Sequence, residues 1–161
     1  MRKNPIILFD IDYTLFDTDI FKSSNLTNYR LYNEVPSMLQ QLEKIATLGI
    51  FSQGEIDFQR KKLHETAIEK YFVPEYVHIT LDKETMIHSV LADYHKNKRV
   101  FLIDDKPVVL EQVKKALPEV TVIWIERGIY ATSQHFSSGF SPDYIVQNLS
   151  DIIPFIREQI A

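Results

Sequence analysis

The run Ile6-Ile7-Leu8-Phe9, ending directly in Asp10-Ile11-Asp12-Tyr13-Thr14, constrains this chain more than any other stretch. Consecutive apolar residues of this kind fit a short buried strand. Asp10 and Asp12 then fall at its C-terminal end, the mouth of the sheet, where α/β folds bind ligands. Two carboxylates one residue apart in such a place are costly unless a cation sits between them or one holds a proton. The competing reading is a strand running into a plain turn, which Asp also favours.

A second apolar run, Val100-Phe101-Leu102-Ile103, also ends in two acids, Asp104 and Asp105, followed by Lys106-Pro107. If the two strands are parallel neighbours, four carboxylates converge on one point. Oxygen-only ligation favours Mg²⁺ over a softer metal. The chain has no cysteine with which to build a thiolate site. Its histidines form no ligand set either: His88 and His95 share a helical face but lie too far apart for one metal, and His64, His78 and His135 are isolated.

Two further positions complete an ordered pattern. Gly49-Ile50-Phe51-Ser52 reads as a short strand ending in a hydroxyl, with Gln53-Gly54 opening a loop. Lys83 follows the strand-like Tyr76-Val77-His78-Ile79-Thr80 and opens a helical stretch to about Lys96. The order Asp-x-Asp, Ser, Lys, Asp-Asp resembles the haloacid dehalogenase-like hydrolase superfamily, most of whose members are phosphatases. The resemblance spans the chain from Ile6 to its last helix.

The resemblance implies a role for each position. Asp10 would attack phosphorus and form a phospho-aspartate, splitting one difficult hydrolysis into two easier steps. Asp12 would protonate the leaving oxygen and then activate water. Ser52 would hydrogen-bond a phosphoryl oxygen and Lys83 would supply positive charge beside it. The Mg²⁺ ligands would be the carboxylates of Asp10 and Asp105 and the backbone carbonyl of Asp12, with Asp104 nearby. The chain departs from the family at three places. Tyr13 stands where Gly is frequent, Asp104 takes the place of a glycine, and Val108, Val109 and Leu110 offer no later acid.

Alternating strand and helix signals predict one α/β domain over residues 1–161, a doubly wound, three-layer parallel sheet of Rossmann-like type. Helices are expected from Pro36 to Leu48, closed by Gly49, and from Glu55 to Tyr71, with Arg60-Lys61-Lys62 on its solvated face. Others run from Pro107 to Leu117 and from about Asp151. Val120–Ile125 reads as a buried strand and Tyr144–Val146 as an edge strand. Asp17 and Asp19 read as turn or cap residues, and Arg127 as either a phosphate contact or a cap on the sheet.

Family members often carry a cap over the site. Here only residues 18–33 could supply one, a minimal insertion whose aromatics either pack or form a lip at the site. The site is therefore expected to be open, or closed by another copy in a homo-oligomer. A phosphorylated substrate is expected, small or macromolecular. At 161 residues and 45% hydrophobic, the chain can bury a full core, and its net charge of -4 argues against a general nucleic-acid binder. No apolar stretch approaches membrane length, and no signal peptide is read, so a cytoplasmic protein is expected. Phosphotransfer on the same site, or a non-catalytic phospho-acceptor or binding module, are the alternatives to a phosphatase. In receiver-type acceptors, however, the acidic pair precedes the acceptor in the chain.

Overall fold

Every apolar run read as a strand becomes one. The computed structural model describes residues 4–92, 94 and 98–161. Its strands are β1 (Ile6–Phe9), β2 (Thr47–Gln53), β3 (Val77–Thr80), β4 (Val100–Asp104), β5 (Thr121–Ile125) and β6 (Tyr144–Val146). They form one six-stranded sheet in the order β3-β2-β1-β4-β5-β6, parallel at each pairing. Phe9 pairs with Ile50 on one side and Ile103 on the other, so β1, β2 and β4 end at one level. The chain reverses its direction of winding at β1, which opens a crevice at the carboxyl ends there. β1 and β4 are apolar at nearly every position because both sheet faces are covered.

The helices are α1 (Thr18–Ser23), α2 (Val35–Leu42), α3 (Ile56–Glu65), α4 (Ile87–Leu91), α5 (Pro107–Ala116), α6 (Tyr130–Ser133) and α7 (Ile152–Ile160). Side chains alternate between the faces of each strand, and two cores result. Ile7, Phe9, Ile50 and Ile103 meet Met38 and Leu39 of α2, Leu63 of α3 and Ile156 of α7. Ile6, Leu8 and Leu102 meet Val90 and Leu91 of α4 and Leu110 and Val113 of α5. The three layers expected from the sequence are present.

Three helix boundaries differ from expectation. α2 stops at Leu42 rather than reaching Leu48, because Thr47 must pair beside Ile6 and its N–H bonds the Pro5 carbonyl at 2.8 Å. Gly49 therefore lies inside β2 instead of closing a helix. A Cβ there would stand 2.4 Å from the Tyr76 carbonyl oxygen and 2.7 Å from Leu8. Gly49→Ala is expected to cost about 2 kcal/mol, read as a lower midpoint in urea denaturation. An unchanged midpoint would mean that β3 and its lead-in give way freely.

α3 ends at Glu65, six residues short of the expected Tyr71. Ala67 adopts a left-handed φ of 58, and the Ile68 N–H returns to the Leu63 carbonyl at 3.1 Å. That closure turns Ile68 and Phe72 into the core. Lys83 sits in a turn before α4, which begins only at Ile87. The remainder of that expected helix, with His95, lies outside the described residues. No helix among the described residues is long and apolar enough to cross a membrane.

Candidate active site

Four strand ends and the turn before α4 bring the expected site together. Asp10 leaves β1 with its N–H on the Ile103 carbonyl at 3.0 Å, which locks the start of the acidic loop to β4. Asp104 ends β4 and Asp105 follows it. Carboxylate oxygens of Asp10, Asp104 and Asp105 lie within 4.8 Å of one another, all three residues buried. Lys83, 2% exposed, points its ammonium into this group, 2.6 Å from Asp104 Oδ2 and 3.3 Å from Asp10 Oδ1.

The two adjacent acids are not equivalent. Asp104 has both oxygens engaged, one by Lys83 and the other by the Lys106 backbone N–H at 2.8 Å. Both oxygens of Asp105 are buried and receive no hydrogen bond. The Asp105 backbone carbonyl accepts from the Trp124 indole N–H at 3.0 Å, which orients the residue from β5. A buried carboxylate without a donor is among the costliest arrangements a protein can hold.

The electrostatics say the same. Burial, then the charges of Asp10 and Asp104, push Asp105 up to about 11. Burial also raises Asp10; Lys83 opposes, Asp104 and Asp12 add, and the net position is about 6. Burial alone would lower Lys83, yet Asp10 and Asp104 outweigh it and push the ammonium up to about 12. One lysine is too little positive charge for three converging carboxylates. A divalent cation supplies what is missing, and the all-oxygen donor set fits Mg²⁺.

Asp12 faces the same pocket but is held by another set of groups. Lys62 Nζ lies 2.8 Å from its Oδ1, Thr18 Oγ1 donates to that oxygen at 3.0 Å, and Gln59 Nε2 donates to Oδ2 at 2.9 Å. Lys62 thus leaves the solvated face expected of it: it is 4% exposed, with its ammonium 4.7 Å from the Phe58 ring centre. Arg60 and Lys61 remain exposed. Sequence reasoning missed Lys62, Gln59 and Thr18. The available signal was spacing, since Gln59, Lys62 and the core residue Leu63 share one face of α3 at intervals of three and four.

Ser52 is fully buried and does not line the pocket; its Oγ accepts from Gln59 Nε2 at 2.9 Å. Tyr13 does line it, with a left-handed φ of 58. Its ring packs against Gly128, where a Cβ would come within 2.4 Å of it. Arg127 has no place in the pocket: it pairs with Glu34 and lies 3.9 Å from the Tyr32 ring centre, so it ties the sheet edge to α2. Asp17 caps α1, accepting from the Ile20 N–H, and Asp19 accepts from the Tyr13 hydroxyl. The pocket, about 230 Å³, is walled in part by Phe21, Lys22 and Leu26 from the 18–33 segment. Tyr29, Leu31 and Tyr32 of that segment instead pack on the core.

This fold has known counterparts. A haloacid dehalogenase-like hydrolase from Burkholderia xenovorans superposes with a TM-score of 0.80 at 20% identity, over 99% of this chain and 100% of its own. A magnesium-bound HAD-hydrolase of Bacillus subtilis superposes at 0.75 with 12% identity, over 96% and 99% of the two chains. L-2-haloacid dehalogenase of Xanthobacter autotrophicus, with chloropropionic acid covalently bound, superposes at 0.66 with 12% identity, over 96% and 99%. No family model and no curated protein matches the sequence. The chain has the fold of the haloacid dehalogenase-like hydrolases.

Proposed function

We propose that this protein is a Mg²⁺-dependent phosphatase that hydrolyses a phosphate monoester through a phospho-aspartate on Asp10. The observation that carries the reading is the Asp105 carboxylate, buried without a donor beside Asp10 and Lys83 at the floor of a pocket. Asp10 and Asp105, with the backbone carbonyl of Asp12, would hold the ion. When bound, Mg²⁺ would neutralise charge on the phosphoryl oxygens and let an anionic nucleophile approach an anionic ester.

The chain's own residues do the rest. An Asp10 carboxylate oxygen forms the bond to phosphorus as the ester P–O bond breaks, and Lys83 holds that carboxylate in place. Asp12 gives its proton to the departing oxygen. As a carboxylate it then takes a proton from the water that attacks the phospho-aspartate, releasing phosphate and restoring Asp10. Ser52 contributes the hydroxyl proton that its bond from Gln59 leaves uncommitted, to a phosphoryl oxygen seated below the pocket lining. The 18–33 segment serves as the minimal cap.

Three features favour hydrolysis of a phosphate over the alternatives. Phosphotransfer needs water kept from the intermediate, whereas the Asp12 side chain is 30% exposed. A phospho-acceptor switch has no use for a second acid clamped by three donors. Displacing a halide from carbon needs no cation, so it would leave the acidic cluster unexplained.

Phosphate release from an aryl phosphate is expected with Mg²⁺ and is expected to stop in EDTA. Undiminished turnover in EDTA would overturn the metal assignment, and chloride release from 2-chloropropionate would point to a dehalogenase. Mg²⁺ at about a hundred times its Kd should stabilise the fold by about 2.7 kcal/mol. For a chain of 161 residues that is a rise in Tm of roughly 5–10 °C.

Lys62→Met is expected to lower kcat by about 10–100-fold, part of what positioned proton transfer contributes. The Mg²⁺-induced Tm rise should persist in that variant. Wild-type kcat in Lys62→Met would show that Gln59 and Thr18 suffice to hold Asp12.

A further inference from the structure

The pocket holds more positive charge than phosphoryl transfer uses. Its lysines are Lys22, Lys62, Lys83 and Lys106. Lys62 is spent on Asp12, and Lys83 on Asp10 and Asp104. Lys22 and Lys106 form no ion pair with any described carboxylate. Each is held over an aromatic ring instead. The Lys22 ammonium lies 5.6 Å from the Tyr13 ring centre, and that of Lys106 lies 4.8 Å from that of Tyr130. The two rings meet edge to face, 6.1 Å apart. On a chain of net charge -4, two unpaired cations on one pocket are an imbalance that a ligand can correct.

The walls limit what that ligand can be. At about 230 Å³ the pocket is smaller than the roughly 300–1,000 Å³ of drug-sized sites. One side is apolar and exposed: Phe58 at 39% and Leu26 at 49%. Asn25 and Leu26 both adopt left-handed φ values, 56 and 60. Such a conformation is unfavourable for leucine, and here it belongs to a side chain set against the pocket. Polar floor, short apolar wall and flanking ammonium groups describe a compact molecule charged at two points.

We propose that the substrate is a small phosphate monoester carrying a second anionic group, bound by Lys22 and Lys106 while its phosphoryl group sits against Asp10 and Lys83. The inference rests on the phosphatase reading for the seat of the phosphoryl group. Lys22 comes from α1 in the minimal cap and Lys106 from the residue after the Asp104-Asp105 pair. The second anion is therefore gripped from both sides of the pocket, and binding it draws the cap segment onto the site. A carboxylate and a second phosphate both satisfy this chemistry.

The test compares propyl phosphate, 2-carboxyethyl phosphate and propane-1,3-diyl bisphosphate, in Mg²⁺, for wild type and for Lys22→Gln/Lys106→Gln. In wild type at least one two-anion ester should exceed propyl phosphate tenfold or more in kcat/KM, mainly through KM. The better of the two tells carboxylate from phosphate. In the double variant the ratio should fall below about twofold, and in wild type it should shrink in 0.5 M salt, since Lys22 is exposed. Equal kcat/KM for all three esters, or a ratio that survives the double substitution, overturns the proposal. Calorimetry on Asp10→Asn separates the two readings. Tighter binding of two-anion esters without turnover by wild type would sink the phosphatase and leave the subsite standing; equal binding would sink the subsite.

Discussion

Asp10→Asn is expected to abolish phosphate release in Mg²⁺, with a fall of about 10⁴-fold or more, the scale seen when a covalent nucleophile is removed. The substitution keeps the size of the side chain but leaves an amide nitrogen in place of one carboxylate oxygen. An amide neither attacks phosphorus at a useful rate nor holds a hard cation as a carboxylate does. Loss of folding would not account for the result. Asp10 is one of three buried carboxylates that repel one another, so removing its charge relieves the metal-free protein. The Tm of Asp10→Asn in EDTA should equal or exceed that of wild type, while the Mg²⁺-induced rise shrinks. Undiminished turnover would move the nucleophile elsewhere.

Lys83→Met should have the largest effect on stability. The substitution is close in shape, so the buried stem still packs against Phe51, whose ring centre lies 4.9 Å from the ammonium. What is lost is the only described cation paired with Asp10 and Asp104. Breaking a buried ion pair from one side costs about 3–5 kcal/mol, and loss of its charge from the transition state should lower kcat by about 10²–10³-fold.

The pH dependence follows from the sign of the change. Without Lys83, the native carboxyl groups hold protons more tightly than the unfolded chain does, so their folded pKa values rise further. Stability is then retained below the unfolded carboxyl range, near 4, and is lost as pH climbs through the raised folded values. Urea denaturation in EDTA should show a small deficit at pH 4.5 and a large one at pH 7, partly restored by Mg²⁺. An equal deficit at both values would assign the loss to packing rather than charge.

Much of this site could be read from the chain because its chemistry stands at strand ends. A four-residue apolar run can be nothing but buried, and whatever follows it must emerge at the sheet's edge. Asp10, Ser52 and the Asp104-Asp105 pair were all legible for that reason. Their neighbours were not. Lys62 and Gln59 lie on a helix whose polar residues read as a solvated surface, and nothing local says that this turn of α3 faces Asp12. The same limit applies to helix ends. Ala67 takes a left-handed conformation that no propensity suggests, since only the burial of Ile68 and Phe72 repays it.

By itself, the order of apolar runs and acids determined the layered parallel sheet and the residues that would meet at its mouth. Strand burial and side-chain alternation are local consequences of composition. Only the tertiary structure decided which of two adjacent aspartates stays free for a cation. Asp104 is consumed by Lys83 and by the first turn of α5, while Asp105 is left buried without a donor. It also decided that a lysine expected in water is buried against Asp12. Both outcomes depend on distances between segments far apart in the chain, and long-range distance is the one quantity that neither spacing nor composition encodes.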